Sequence, residues 1–335
     1  MATRTYTLKL VRGFSTLRSR EFEPPPKNVV TVPITEEIIK ITNKQTILIT
    51  GATGSIGGGA AVALAKRGAR VVLLGRRLET LEARADSIRV ALSEARIEFQ
   101  DTDIATLVVD FSDMESVRLT AAEAMNRFPK IHGLILSAVT TVLHGPTILP
   151  SGHEVMFATN VMGPFLFTQL FLERMEQSDG LVLHVIAPFY KEIDWDDLES
   201  IRNHRTITAY ERTKTMHRVI AAELARRDAG KISSVAFNPT FIIDKSDPEV
   251  DKKWLSTGLT GYFYRLMAVF FAKPPVVAGE PIANLMPSHE DRSAINGALF
   301  KLDKRVEKPD KAMNDEVLGK RLWDDLVLLT GLTPG

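Results

Sequence analysis

The chain has 335 residues, a formal net charge of +1 and 44% hydrophobic residues. It can therefore bury a large core, and it lacks the basic excess that is typical of nucleic-acid-binding proteins. It contains 0 Cys, which excludes disulfides, thiolate metal sites and cysteine nucleophiles. The histidines show no metal-ligand spacing, so we expect no metal ion.

The N-terminal segment differs in composition from the rest of the chain. Residues 1–20 contain five basic side chains and no acid, and many Ser and Thr. This composition favours a mitochondrial transit peptide and a location in the matrix. A solvated basic tail on a cytoplasmic protein is the alternative. Because residues 23–26 read Glu-Pro-Pro-Pro, a linker follows. We therefore predict an extension at 1–43 and one domain at 44–335.

From residue 45, short apolar runs alternate with segments of helical periodicity. The predicted strands are 47–50, 70–74, 107–109, 131–136, 181–186 and 232–237. The predicted helices between them are 57–67, 78–95, 112–127, 153–175 and 208–227. This alternation favours βαβ units, and apolar strands fit a sheet that is covered on both faces. The prediction is one doubly wound α/β domain of the Rossmann type, with a parallel sheet between two helical layers.

The periodicity weakens after Pro239. We expect residues 247–287 to cover the site, 298–300 to form an edge strand and 315–330 to form the last helix. The apolar run at 258–272 carries Arg265 and is shorter than the ~20 residues of a membrane span, so no transmembrane segment is expected.

A glycine-rich turn follows the first predicted strand and opens a helix. Glycines allow a tight turn and a close approach to a pyrophosphate, while the helix N-terminus offers unpaired N–H groups to it. The strand-turn-helix context makes this cluster more specific than glycines alone. The predicted dinucleotide contacts are Thr50, Gly51, Thr53, Gly54, Ser55, Ile56 and Gly57.

Two arginines, Arg76 and Arg77, end the second predicted strand, where NAD-binding proteins usually carry an acid. A guanidinium matches a 2′-phosphate with paired hydrogen bonds. The sequence therefore favours NADP(H) over NAD(H). Two solvated arginines without a ligand are the alternative.

Tyr210 and Lys214 lie four residues apart in a predicted helix and so share one face. A nearby ammonium favours the phenolate form of a tyrosine. Tyr210 is therefore predicted to exchange a proton with a substrate oxygen, and Lys214 to support it and to bond the cofactor ribose.

The glycine turn, the Tyr210/Lys214 pair and their spacing resemble the short-chain dehydrogenase/reductase superfamily. Segments 193–198, 321–323 and 329–332 resemble its retinol-dehydrogenase-like branch. The resemblance implies that Asn160 holds a water in a proton relay. It also implies cofactor contacts from Asp110, Phe111, Ser137, Ala138 and Pro239.

The chain departs from the family pattern at three places. Leu136-Ser137-Ala138-Val139 replaces Asn-Asn-Ala-Gly, and Thr240 replaces the glycine after Pro239. The third departure concerns catalysis, because Ala187 is expected at the position of the catalytic serine. His184 and Tyr190 are the nearest candidate replacement donors.

The resemblance implies an NADP(H)-dependent enzyme that interconverts a carbonyl and an alcohol on a small, lipophilic molecule. The chain is then expected to form a homodimer or to be a subunit of a larger assembly. The missing serine leaves a second hypothesis open, a catalytically weak or inactive NADP-binding subunit or redox sensor. A third is a sugar-nucleotide epimerase or dehydratase, because the spacing of Gly51, Gly54 and Gly57 fits that branch.

Overall fold

A computed structural model describes residues 44–142, 145–228, 230–240, 242, 276–286, 292–306 and 311–333. The predicted transit peptide and linker and the apolar run at 258–272 lie outside these residues.

The described residues form one eight-stranded sheet. The strands are Thr46–Thr50 (β1), Arg70–Gly75 (β2), Ile104–Val108 (β3), Gly133–Leu136 (β4), Leu181–Val185 (β5), Ser233–Asn238 (β6), Leu299–Lys301 (β7) and Lys304–Arg305 (β8). Their order in the sheet is β3-β2-β1-β4-β5-β6-β7-β8, and all neighbours pair in parallel except β7 and β8. The strand order reverses between β1 and β4, which opens a crevice at the carboxyl ends of these strands.

Helices connect the strands as the sequence predicts, with shifted ends. They are Ser55–Lys66 (α1), Leu78–Glu94 (α2), Met114–Arg127 (α3), Val155–Phe157 (α4), Gly163–Glu176 (α5), Thr206–Arg227 (α6), Val276–Leu285 (α7), Arg292–Ile295 (α8), Lys311–Asn314 (α9) and Glu316–Leu329 (α10). A 3₁₀ turn spans Asp101–Asp103, and a π-helical segment, Ala158–Met162, joins α4 to α5.

Alternate strand residues divide the core between the two faces of the sheet, because successive side chains of a strand point in opposite directions. Leu48 and Val72 pack with α3, α5, α6 and α10 on one face. Ile47 and Val71 pack with α1, α2 and α7 on the other. The predicted fold class, a doubly wound parallel sheet with helices on both faces, is confirmed.

Helix α7 occupies a place that the sequence does not predict. It packs closely on α1, since a Cβ on Gly279 would lie 2.5 Å from the carbonyl oxygen of Gly59. The described part of the predicted covering segment therefore packs on the first helix. Most of that segment, 247–275, lies outside the described residues.

The predicted helix at 153–175 contains three pieces, because a π-helical segment interrupts it around Asn160. Within Val155–Glu176, the most apolar 18-residue window has a mean hydropathy of 1.5, and 78% of that window is buried in the protein. A core helix meets the same criteria of length and composition, so this stretch is weak evidence of a membrane span.

Candidate active site

The glycine turn is shaped by close backbone contacts at the carboxyl end of β1. Gly51 has a φ of 63°, in the left-handed region that favours glycine. A Cβ there would lie 2.8 Å from Cα of Ala138. A Cβ on Gly57 would lie 2.6 Å from the carbonyl oxygen of Gly51 and from Oγ of Ser137. Side chains at either position would therefore displace the turn or the end of β4.

Thr50 and Ser137 hold the ends of β1 and β4 together. The buried hydroxyl of Thr50 donates to the carbonyl of Ile135 and accepts from the amides of Ser137 and Ala138, both at 3.0 Å. The Ser137 hydroxyl donates to the Thr50 carbonyl at 2.5 Å. Both hydroxyls therefore bond to the backbone at the ends of β1 and β4 and stabilise the turn. Thr50 and Ser137 are predicted as cofactor contacts, and the structure shows this supporting role for their side chains.

The N-terminus of α1 fits an anion. Thr53 and Gly54 are exposed, and Ser55 and Ile56 are half-buried. The first turn of α1 contains no acid, and no side chain caps it. The first amides of a helix have no intrahelical acceptor, so this end carries a partial positive charge. The cradle of Gly51 and Gly57 together with this helix end fits the pyrophosphate of a dinucleotide.

The two arginines after β2 lie beside this turn. β1 and β2 end together, because Thr50 pairs with Leu74 and the Ala52 amide donates to the Leu74 carbonyl at 3.4 Å. Arg76 and Arg77 follow and are exposed. The structure therefore brings the predicted phosphate turn and the predicted 2′-phosphate ligands to one edge of the sheet.

The other predicted cofactor residues lie at the same edge with different exposure. Asp110, after β3, is half-buried, and its Oδ1 accepts from the amide and hydroxyl of Ser112. Phe111 is buried and stacks edge-on against Phe167, so its side chain belongs to the core. Pro239, after β6, is also buried.

Tyr210 and Lys214 lie on α6, beside the end of β5. Tyr210 is half-buried, whereas Lys214 is 2% exposed. The Lys214 ammonium donates to the carbonyl of Val185, the last residue of β5, at 2.9 Å. Burial lowers the pKa of Lys214 to about 8. In the sheet β5 is two strands from β1, about 10 Å away, so the pair lies at the edge that carries the glycine turn.

Asn160 is fully buried in the π-helical segment, a geometry that is frequent at functional sites. Its side-chain oxygen accepts from the Thr140 amide at 2.7 Å, and its Nδ2 donates to the Thr140 carbonyl and the Thr213 hydroxyl. Asn160 thus joins the loop after β4 to α6, one residue from Lys214. Its predicted hold on a relay water stays a prediction.

A buried histidine pair beside Lys214 is not predicted by the sequence. His217 Nε2 donates to the backbone carbonyl of Asn160 at 2.5 Å, and His217 Nδ1 lies 3.4 Å from Nδ1 of His184. Both residues are at most 2% exposed. The His184 ring therefore packs against α6. This contact does not support the prediction that His184 replaces the catalytic serine as a donor to the substrate.

Acid is expected to destabilise the fold through this pair. Burial, together with the Lys214 charge, lowers the pKa of His184 to about 3 and that of His217 well below its usual value. Below pH ~6.5 the unfolded chain then binds more protons than the folded chain, so stability falls as the pH falls, with about 2 kcal/mol lost through His184 at pH ~5. Urea unfolding at neutral and acidic pH measures this loss.

The variant His184→Asn is expected to lose less stability between the two pH values than the wild-type chain. His153→Asn is a matched control, since His153 is partly exposed and lies against Glu199. Equal acid losses in the wild-type and His184→Asn proteins would contradict the prediction.

The segment after β5 is fixed against α6. Arg218, which is 4% exposed, donates from Nη2 to the carbonyls of Ala187 and Phe189, and the Thr215 hydroxyl accepts from the Lys191 amide at 3.1 Å. Ala187, the expected serine position, is itself 6% exposed. Arg218 follows Lys214 by four residues, so helical spacing could have placed it on this face.

Exposed apolar side chains surround the same edge. They come from the loops after β4 and β5 and from the first turn of α6, and they are more than a third exposed. These residues are Val139, Ile148, Phe189, Tyr190, Ile201 and Ile207. Because the loops after β4 and β5 leave the carboxyl ends of these strands, these exposed side chains lie on the side of the sheet that carries the glycine turn.

Comparison with known proteins agrees with this geometry. A family model described as short chain dehydrogenase matches residues 45–188. Retinol dehydrogenase 14 of Mus musculus is 30% identical over 296 residues, which cover 86% of this chain and 86% of that protein.

Two solved structures share the fold. One is a 3-oxoacyl (acyl-carrier-protein) reductase from Agrobacterium tumefaciens with NADP bound, which has a TM-score of 0.59 at 20% identity. The match covers 77% of this chain and 92% of the reductase chain. A 3-ketoacyl-(acyl-carrier-protein) reductase from Brucella melitensis complexed with NADH has a TM-score of 0.57 at 22% identity, with coverages of 77% and 96%. At these identities the likeness shows the fold alone.

Proposed function

Because the chain belongs to the short-chain dehydrogenase/reductase family, in its retinol-dehydrogenase-like branch, we propose that it is an NADP(H)-dependent enzyme with Tyr210 as its acid/base. Membership makes it an oxidoreductase of carbonyls and alcohols that uses a nicotinamide cofactor. The observation that carries the proposal is the position of the Tyr210/Lys214 pair at the end of β5, on the edge that holds the glycine turn.

The cofactor, the glycine turn and the Tyr210/Lys214 pair would have separate roles in the reaction. When bound, the cofactor supplies or accepts the hydride. The turn of Gly51 to Gly57 and the start of α1 would hold its pyrophosphate. Tyr210 gives a proton to the carbonyl oxygen in reduction and removes it from the alcohol in oxidation. The buried charge of Lys214 favours the phenolate, because Coulomb attraction is stronger away from water.

The preference for NADP(H) rests on Arg76 and Arg77. Two exposed guanidinium groups after β2, with no acid between them and the glycine turn, suit a 2′-phosphate. Structural relatives carry either NADP or NADH, so the fold itself leaves the choice of dinucleotide open.

The double variant Arg76→Ala/Arg77→Ala is expected to bind NADPH about 10-fold or more weakly, because hydrogen bonds to charged groups contribute ~1.5–3 kcal/mol each. Its affinity for NADH should stay nearly constant. Calorimetric titration of both cofactors measures the two dissociation constants. An equal loss for both would contradict a role in binding the 2′-phosphate.

A lipophilic substrate fits the exposed apolar residues of the loops after β4 and β5. Burying Phe189 or Ile201 against a ligand removes apolar surface from water, which is worth ~25 cal/mol per Å². The relationship to Retinol dehydrogenase 14 supports the same class of substrate.

The direct test is a screen of purified full-length chain with NADPH and apolar aldehydes and ketones, and with NADP⁺ and the matching alcohols. NADPH consumption that depends on the carbonyl supports the enzyme. The expected absence of the serine at Ala187 favours a second candidate, a weakly active or inactive NADP-binding subunit or redox sensor. Tight NADPH binding without turnover on any compound would favour this candidate.

A further inference from the structure

Arg84, on the second turn of α2, reaches the glycine turn. Its Nη2 donates to the carbonyl oxygen of Thr53 at 3.1 Å. Thr53 lies in the turn, one residue after Ala52, whose amide contacts the end of β2. A guanidinium has five N–H donors, so one bond to Thr53 leaves donors for a ligand.

Gly58 gives the Arg84 guanidinium room. A Cβ on Gly58 would lie 3.1 Å from Cζ of Arg84 and 3.2 Å from its Nε, so the guanidinium packs directly on the backbone of α1. Gly54, at the exposed tip of the turn, contributes no side chain of its own. Arg84 thereby supplies a full positive charge to a turn whose own residues, Gly51 to Gly57, carry no charged side chain.

Arg84 adds a third guanidinium to this edge of the sheet, at the glycine turn that adjoins the end of β2. Among the described residues, Arg76, Arg77 and Arg84 form no ion pair with an acid. The nearby Glu82 accepts from the Thr106 hydroxyl at 2.6 Å. Like charges that are close together repel, and a bound anion removes this repulsion. By contrast, Arg89 on the same helix forms an ion pair with Asp86 at 2.8 Å.

We propose that Arg84 is a specificity-determining residue that binds the 2′-phosphate of NADP(H) together with Arg76 and Arg77. The proposal rests on the proposed preference for NADP(H). It assigns Arg84 a ligand contact in addition to its structural bond to Thr53. Arg84 thus connects the conformation of the turn to the choice between the two dinucleotides.

The test is calorimetric titration of the full-length chain and of Arg84→Ala, Arg84→Lys and Arg89→Ala with NADPH, NADH and 2′,5′-ADP. Arg84→Ala is expected to bind NADPH and 2′,5′-ADP about 10-fold or more weakly, with NADH little changed. Arg84→Lys should fall between Arg84→Ala and the wild type, because it keeps the charge and loses the planar fork. Arg89→Ala should bind all three as the wild type does.

Two results would overturn the proposal. One is an unchanged NADPH affinity in Arg84→Ala, and the other is an equal loss for NADPH and NADH, which is the signature of a purely structural bond to Thr53. If Arg76→Ala/Arg77→Ala loses NADPH selectively in either case, the proposed function stands without Arg84. A wild-type chain that does not prefer NADPH to NADH would overturn both.

Discussion

Tyr210→Phe is expected to lower turnover by about 10²–10⁴-fold, the usual contribution of a positioned acid or base. The aromatic ring stays in place and only the hydroxyl is lost, so the dissociation constant of NADPH should change little. Lys214 keeps its bond to the Val185 carbonyl, which preserves the local fold. Steady-state rates and a cofactor titration on the same preparation separate loss of chemistry from loss of binding.

The matching substitution at Tyr190 tests the other phenol near the site. Tyr190 is 42% exposed and lies on the segment after β5. Retained turnover in Tyr210→Phe, with a large loss in Tyr190→Phe, would move the acid/base role to Tyr190. Retained turnover in both would remove tyrosine from the proton transfer altogether.

Ala187→Ser is expected to raise turnover by roughly 10²-fold or more, since removal of one donor to a developing oxyanion costs about 10²–10³ in other enzymes. Ala187 is buried at the end of β5, and Arg218 fixes its carbonyl, so the new hydroxyl would have a defined position. The measurement is kcat on a carbonyl that the wild-type chain reduces slowly.

A control distinguishes this gain from a general effect of adding a hydroxyl. Ala225, near the end of α6, is buried to a similar extent, with 7% exposure against 6% for Ala187. Ala225→Ser should leave turnover unchanged. If Ala187→Ser lowers turnover or leaves it unchanged, the family serine does not correspond to Ala187, or another donor already serves.

Local patterns explain why the fold could be predicted. Apolar strands such as Ile47–Ile49 and the regular helices between them carry their own periodicity. The periodicity of the sequence does not predict the two-residue strand β8 or helix α7. β8 is too short to show a pattern, and α7 contains Pro281, which weakens any helical prediction.

The site likewise contains features that the sequence predicts and contacts that it does not predict. The residues of the glycine turn are contiguous, and Tyr210 and Lys214 are one helical turn apart. The sequence is therefore sufficient to identify both features. The contacts of His217 with Asn160 and of Arg84 with Thr53 join residues 57 and 31 positions apart. Such contacts depend on how helices pack on the sheet, which spacing along one element does not reveal.

In the proposed enzyme, Tyr210 faces a dinucleotide bound across the carboxyl ends of the parallel strands. NADPH in which both hydrogens of the reactive nicotinamide carbon are replaced by deuterium tests this arrangement when mixed with the full-length chain and an apolar aldehyde. Mass spectrometry of the alcohol should find one deuterium per molecule with the wild-type protein and far less product with Tyr210→Phe. Undeuterated alcohol, or equal labelled product from both proteins, would contradict this arrangement.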